Sequence, residues 1–368
     1  MSELHRFLEE ARELLPAAVA LRRRIHAEPE LGLELPLTTT AVLDGLQGLD
    51  VEIARGPSTS GLVVSLAGRK PGTQTGRTIL LRGDMDALPM PEETGLDFAS
   101  KIPGRMHACG HDAHTAMLVQ AVHLLHRHRD ELAGTVKFMF QPGEEGYHGA
   151  RVMLEEGLLD GSAAPTGAFA LHVTHREAAG VITTRPGPML ASGDTVQITV
   201  RGKGGHASAP HDCLDPIPVA CEIVQAFQTL VTRRVNVFDP AVITIAKIEA
   251  GTTRNVIPET AHLLGTVRTV SELTRERVLE GVRRVVDGIA TAHGAEAAVE
   301  LIRGYPVTSN DAGFAEFVLD TAREVLGAER VTPMRHPVML NVLERPMMLT
   351  VRSRRPGSEA GETCGRPS

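Results

Sequence analysis

The stretch from Met106 to Thr115 concentrates one thiol, three imidazoles and one carboxylate within ten residues. Cys109 and His111 are two residues apart, and the glycine between them lets the backbone turn so that both side chains reach one divalent ion. An apolar helix is predicted just after this stretch, and its N-terminus would favour the thiolate form of Cys109. The alternative is a buried cysteine beside surface histidines. The stretch therefore predicts half of a metal site.

Two carboxylates follow a buried strand predicted over residues 78–81. Asp84 and Asp86 are two residues apart, so an extended backbone would direct both to one side, where like charges require a nearby cation or hydrogen-bond donors. Sites in open α/β sheets lie at this end of the strands. A solvated turn rich in aspartate is the competing interpretation.

Two further strands deliver polar residues at their ends. Glu144 and Glu145 follow the strand predicted over 135–140, and neighbouring residues of an extended segment face opposite ways. One glutamate could bind a metal while the other acts as a general base on water. His172 directly follows the strand predicted over 167–171, which makes it a ligand candidate. A surface acidic turn and a satisfied core histidine are the alternatives.

The elements that must position these residues alternate between helix and strand, which predicts an α/β sheet. From about residue 189 to 303 the pattern changes to β-α-β-β-α-β, the arrangement of a four-stranded antiparallel sheet with two helices on one face. We expect this second domain to interrupt the first.

Composition narrows the function classes. The chain has 368 residues, a formal net charge of -7 and a pI near 6.2, which offers no general attraction to nucleic acid or to anionic membranes. The four widely spaced cysteines are unlike a disulfide scaffold, and no export signal or membrane span is visible near the N-terminus. These features favour a cytoplasmic protein that acts on small molecules.

Taken together, these motifs resemble the M20 metallopeptidase family, in particular its amidohydrolase branch of hippurate hydrolases, N-acyl-amino-acid deacylases and auxin-conjugate hydrolases. The matching stretches are residues 21–26, 29–32, 82–89, 107–112, 141–145, 204–211, 255–258 and 265–269. The resemblance implies a zinc-peptidase-like catalytic domain with a mixed sheet flanked by helices, interrupted by a ferredoxin-like α+β lid or dimerisation domain. The corresponding boundaries are 1–187 with 304–339 for the catalytic domain, 188–303 for the lid, and 340–368 for an atypical, disordered tail.

The resemblance also implies the roles of the site residues. Two divalent ions, of zinc, manganese, nickel or cobalt, would be held by four ligands, namely Cys109, His111, Glu145 and His172. Glu144 would be the general base in hydrolysis of an N-acyl amino acid, and Asp86 would orient the site from behind the ligands.

Three more residues receive roles by resemblance, and all lie in the predicted lid. His206 would donate a hydrogen bond to the oxyanion across the interface of a homodimer. Asn255 and Arg268 would contact the carbonyl or carboxylate of the substrate.

The C-terminal part departs from the family pattern. The family has a further histidine ligand beyond the stretch that here is Pro337 to Met339, whereas no histidine follows His336. An altered C-terminus would account for this, and one alternative function is a metal-binding relative with impaired catalysis. A second alternative is a metal-free hydrolase with Cys109 as nucleophile and His111 as base, in which Glu144 and Glu145 would have no role.

Overall fold

The computed structural model describes residues 3–71, 76–160, 164–175 and 177–338, together with the backbone of a strand at 348–353. The chain divides into two compact units. The first comprises Met1–Val173, Gly313–Ala328 and Met347–Ser368, and the second Thr174–Ala312 and Glu329–Pro346. The predicted catalytic and lid boundaries differ from these bounds by up to 14 residues, and the assignment of roles to the two units stays a prediction.

The helices and strands are numbered along the chain. The helices are α1 (Glu3–Ala27), α2 (Pro36–Gly45), α3 (His111–Arg127), α4 (Gly149–Glu155), α5 (Pro216–Arg234), α6 (Glu272–Ala292) and α7 (Ala312–Leu326). The strands of the first unit are β1 (Glu52–Arg55), β2 (Leu62–Ala67), β3 (Thr78–Asp84), β4 (Thr135–Gln141), β5 (Gly167–His172) and β16 (Met348–Ser353). Those of the second are β6 (Ile182–Thr184), β7 (Gly187–Leu190), β8 (Asp194–Arg201), β9 (Gly205–His206), β10 (Ala241–Ala250), β11 (Val256–Ile257), β12 (Thr260–Thr269), β13 (Glu296–Ile302), β14 (Thr308–Asn310) and β15 (Val331–Pro333).

The first unit is built on a mixed sheet with the strand order β1-β2-β4-β3-β5-β16. Strands β4, β3 and β5 run parallel, whereas β1, β2 and β16 join by antiparallel pairing. Phe138 and Phe140 of β4 are fully buried and pack with Leu118, Val119 and Val122 of α3. This packing fixes α3 against the sheet beside the carboxyl ends of the parallel strands.

Helix α3 begins at His111, four residues before the start expected from the apolar pattern. The reason is Gly110, which precedes the helix in the left-handed conformation with φ of 83°. Glycine adopts this conformation without steric cost, so the helix can start at a polar residue. The first turn of α3 therefore carries residues of the predicted metal site.

The second unit contains the predicted four-stranded antiparallel sheet, in the order β10-β12-β8-β13. Helices α5 and α6 pack on it through a core that includes Ile198, Phe227 and Val282. Each helix starts at a side-chain cap, with Asp215 accepting from the N–H of Ile217 and Ser271 accepting from that of Thr274. The mixed α/β fold expected from the sequence is thus confirmed.

The C-terminal segment is described only in part. The backbone of β16 lies inside the segment predicted to be disordered and pairs antiparallel with β5. The other residues of that segment lie outside the described residues, as does Met339. Among the helices described here, none combines the length and apolar character needed to cross a bilayer.

Candidate metal centre

The candidate centre lies at the carboxyl ends of the parallel strands of the first unit. Asp84 ends β3, His172 ends β5, and Glu144 follows β4 after a short turn. Helix α3 brings His111 to the same place from its N-terminus. Parallel strands end at one edge of a sheet, so four segments distant in sequence meet here.

Three buried side chains form one group of potential ligands. Cys109, His111 and His172 are all buried, and their donor atoms lie within 4.8 Å of one another. The Sγ atom of Cys109 is 3.3 Å from Nε2 of His172. A thiolate with two imidazoles is a donor set that zinc and neighbouring transition metals accept.

The hydrogen bonds of both histidines place the lone pair on the nitrogen that faces the centre. Nδ1 of His111 is 2.7 Å from the backbone oxygen of Asp86, and Nδ1 of His172 is 2.7 Å from that of Val173. A carbonyl oxygen only accepts, so Nδ1 carries the proton and Nε2 carries the lone pair in each neutral ring. Nε2 of His111 is buried and makes no hydrogen bond within the described residues. Metal-binding histidines have this arrangement.

The two glutamates are held from behind by one carboxylate. Oδ1 of Asp86 accepts the backbone N–H of Glu144 and Oδ2 accepts that of Glu145, both at 2.9 Å. Oε1 of Glu145 lies 3.9 Å from Nε2 of His111. With His111, the two glutamates form a second group of potential ligands. Asp86 thereby takes a supporting position behind the glutamates.

The centre contains a fourth carboxylate, that of Asp84, whose part the sequence left open. Asp84 is 2.6 Å from Nη1 of Arg82, 2.6 Å from Nδ1 of His114 and 3.5 Å from Nε2 of His111. Burial would raise the pKa of Asp84, but Arg82, His111 and His114 hold it well below its ordinary value. Asp84, His111 and His114 form a further group with metal-ligand spacing.

His114 was missed as a member of the site, although a signal was present. It lies three residues after His111, so on a helix both side chains share a face. Its Nε2 accepts the backbone N–H of Val173 at 2.9 Å, which leaves the Nδ1 proton for Asp84. His114 therefore joins the end of β5 to the end of β3.

The electrostatics of the centre favour a cation. Burial alone would lower the pKa of His111, yet Asp84 is the main cause that raises it well above its ordinary value. Burial is the main cause that raises the pKa of Glu145, and the nearby carboxylates of Asp86 and Asp84 raise it further. A divalent ion would relieve the repulsion between these carboxylates, so the residues present fit a metal.

Cys109 differs from the expectation in one respect. Burial raises the pKa of its thiol to about 11, so the start of α3 does not by itself favour the thiolate. A bound metal would supply the missing positive charge, since a coordinated thiol loses its proton. The raised pKa is the opposite of what a cysteine nucleophile requires, which weighs against the metal-free cysteine hydrolase.

The remaining predicted residues lie in the second unit. His206 pairs with Val256 in the short β9–β11 ladder, and the N–H of Ala207 donates to the backbone oxygen of Asn255 at 3.1 Å. The structure thus brings His206 and Asn255 together. Arg268 lies near the far end of β12, opposite Val242 of β10, and is not part of that group.

A metal-dependent hydrolase of amide bonds is the class that this fold and these residues define. Residues 80–342 match the model of peptidase family M20/M25/M40. The chain belongs to this family, in its amidohydrolase branch, as the sequence motifs predicted.

The relatives are similar over most of their length. The N-acetylcysteine deacetylase of Bacillus subtilis is 39% identical, over 87% of this chain and 82% of that protein. IAA-amino acid hydrolase ILR1-like 4 of Arabidopsis thaliana is 38% identical, over 87% of this chain and 72% of that protein. Among solved structures, a dinuclear metal-binding M20 peptidase of Bacillus subtilis superposes with a TM-score of 0.76, at 33% identity, over 92% of this chain and 88% of that chain.

Proposed function

We propose that this protein hydrolyses the amide bond of N-acyl amino acids, with Cys109, His111, Glu145 and His172 holding two divalent ions. One observation carries the proposal. The backbone N–H groups of Glu144 and Glu145 are held by Asp86, and His111 belongs both to a group of potential ligands with these glutamates and to one with Cys109 and His172. The deacetylase and the IAA-amino acid hydrolase among the relatives both act on acylated amino acids by name, which supports this substrate class.

The residues divide the chemistry between them. The divalent ions would supply Lewis acidity, which would polarise the substrate carbonyl and make water more acidic. Glu144 takes a proton from the attacking water and returns it to the nitrogen of the leaving amine. Its backbone is held by Asp86, so the carboxylate starts from a defined position. His206 donates a hydrogen bond to the oxygen that gains negative charge, and Asn255 and Arg268 contact the polar groups of the substrate.

The separation of these residues within the second unit supports the proposal of a homodimer. Beyond the Arg201–Thr260 pair of β8 and β12, the chain forms a separate two-stranded sheet with the pairs Gly205–Ile257 and His206–Val256. Arg268 is eight residues beyond Thr260 in the other direction, roughly 26 Å at ~3.3 Å per residue. One small substrate does not span that distance. We infer that His206 reaches the site of a second copy of the chain.

Two substitutions separate metal binding from catalysis. Glu144→Gln should keep bound metal and lose turnover, whereas Glu145→Gln should lose both, because only Glu145 is assigned as a ligand. Metal content is measured by elemental analysis. Turnover is measured with N-acetyl amino acids, hippurate and indole-3-acetyl amino acids, before and after chelation. Full turnover by the chelated protein or by Glu144→Gln would overturn the proposal.

Mixing two inactive variants tests the shared site. Glu144→Gln and His206→Ala subunits, reassorted at equal amounts, should recover about a quarter of wild-type activity, because half of the dimers are mixed and one site in each is intact. No recovery, in a preparation in which mixed dimers have been detected, would contradict a site shared between subunits.

The competing function is a metal-binding relative with impaired catalysis. It is favoured by one observation, the lack of any histidine among residues 337–368. Two bound metal ions without turnover on any acylated amino acid would support it. The identity of the metals and a cytoplasmic location stay predictions.

A further inference from the structure

His206 stands on a backbone that is held on both sides. His206 pairs with Val256 in the β9–β11 ladder, and the N–H of Ala207 donates to the backbone oxygen of Asn255. The N–H of Ala209 donates to the backbone oxygen of His206 at 2.9 Å. A Cβ added to Gly205 would come 2.4 Å from Sγ of Cys213, so glycine is needed where the chain passes this side chain. The ring of His206 therefore extends from a constrained turn.

Within the described residues, both hydrogen bonds to the ring of His206 come from Ser208. The backbone N–H of Ser208 is 3.2 Å from Nδ1, and its hydroxyl oxygen is 2.7 Å from the same atom. A backbone N–H can only donate, so Nδ1 must carry the lone pair and the hydroxyl must donate as well. A ring protonated at Nδ1 would set two N–H groups against each other.

The proton of the neutral ring is therefore at Nε2. This nitrogen makes no hydrogen bond within the part of the chain that the structure describes, and the side chain is exposed. Of the two neutral forms of histidine, this is the one that presents a donor at the far edge of the ring. An oxyanion needs a donor there.

We propose that Ser208 is a positioning residue that holds His206 in the Nε2-protonated form and so readies it to donate to the oxyanion. This inference rests on the role proposed for His206. Ser208 itself touches neither the substrate nor the reacting atoms, and its contribution is to select the proton position and the orientation of the ring. The ligand that this arrangement serves is the carbonyl oxygen of the amide being hydrolysed.

Two readouts test the proposal on the full, zinc-loaded protein. Two-bond proton–nitrogen NMR with labelled histidine, assigned by comparison with His206→Gln, should show His206 protonated at Nε2 in the wild type. Ser208→Ala keeps the longer backbone contact but loses the shorter hydroxyl contact, so it should loosen the ring and raise the share of the Nδ1-protonated form. We expect kcat to fall up to about tenfold with KM within about twofold, because the donor acts in the transition state. Ser208→Thr, which keeps the hydroxyl, should restore both readouts.

The outcomes distinguish this inference from the proposed function. A wild-type ring protonated at Nδ1, or a Ser208→Ala variant with unchanged kcat, would overturn the role of Ser208 while His206→Ala remains inactive. Full turnover by His206→Ala would instead overturn the role of His206, and with it that of Ser208. Alanine at position 208 has no hydroxyl but keeps the backbone N–H, so Ser208→Ala should lower kcat less than His206→Ala does.

Discussion

The carboxylate of Asp86 accepts the backbone N–H of Glu144 at 2.9 Å, and through its second oxygen that of Glu145. Its own backbone oxygen also accepts from Nδ1 of His111. One buried residue thus aligns the proposed base and two proposed ligands, so its substitution should affect the whole centre.

Replacing Asp86 by Asn keeps the size of the side chain but turns one acceptor into a donor that faces an N–H. We expect kcat or metal affinity to fall about 10–100-fold, the usual loss when a group behind the ligands is changed. Steady-state kinetics and metal titration measure this. The exposed Asp97→Asn is the control, and an Asp86→Asn variant within twofold of wild type would contradict the supporting role.

Gly110 should be less replaceable than a glycine with the same conformation elsewhere. At Gly110 an added Cβ would lie 2.4 Å from Cγ2 of Val173, whereas at Gly104, also with positive φ, it meets nothing within 4 Å. Both Ala variants incur the strain of a left-handed residue, about 1–2 kcal/mol. Only Gly110→Ala should also displace Cys109 and His111.

Metal titration against a competing chelator checks this difference. We expect Gly110→Ala to bind metal at least about tenfold more weakly, as for other changes that misorient ligands. Gly104→Ala should bind like wild type. Equal affinities of the two variants would show that the contact with Val173 does not position the ligands.

His128, at the end of α3, predicts a pH-dependent contribution to stability. Its Nδ1 is 3.0 Å from Glu131 and its Nε2 is 2.8 Å from Glu10. The hydrogen bond to Glu131 is the main cause that raises the pKa of His128; burial opposes it, and Glu10 adds to it. Because the pKa is higher in the folded chain, the stabilisation is present below the ordinary pKa of about 6.5 and is lost as the pH rises through the folded value.

The measurement is urea unfolding of wild type and His128→Gln at pH 6 and pH 9. The difference in free energy of unfolding should be larger at pH 6 and shrink at pH 9. Arg6, which contacts both Glu131 and Nδ1 of His128, is kept in both proteins. A difference independent of pH would rule out a charged His128 as the cause.

In the second unit, Arg275 and Asp194 form a buried pair that should be costly to break. Nη2 and Nε of Arg275 lie 2.6 and 2.9 Å from the two carboxylate oxygens of Asp194. Asp194→Ala would leave a guanidinium group buried without this partner, and we expect a loss of about 3–5 kcal/mol in the free energy of unfolding.

The exposed pair of Arg303 and Glu276 in the same unit provides the comparison. Glu276→Ala should cost no more than about 1 kcal/mol, because solvent screens an exposed pair. Chemical denaturation of both variants measures the contrast. Similar losses for the two variants would contradict the assigned importance of burial.

Most of the fold could be predicted because its elements have clear local patterns. The strand of Phe138 and Phe140 is a short apolar run, and α5 and α6 have apolar residues at helical spacing. The spacing of the residues that must be buried therefore indicates whether each element is a strand or a helix. Helix α4 was missed because its seven residues are too few for a periodic signal, and α3 started early because Gly110 allowed it.

The sequence by itself determined which side chains are candidates for metal binding and for the general base. Each of these lies next to an apolar strand or helix, namely Cys109, His111, Glu144, Glu145 and His172. Only the tertiary structure decided the partnerships: that Asp84 pairs with Arg82 and His114, that burial raises the pKa of Cys109, and that Ser208 selects the proton position of His206. The physical reason is that residue types and strand ends are local properties, whereas pKa values and hydrogen-bond direction depend on groups that folding brings together from distant parts of the chain.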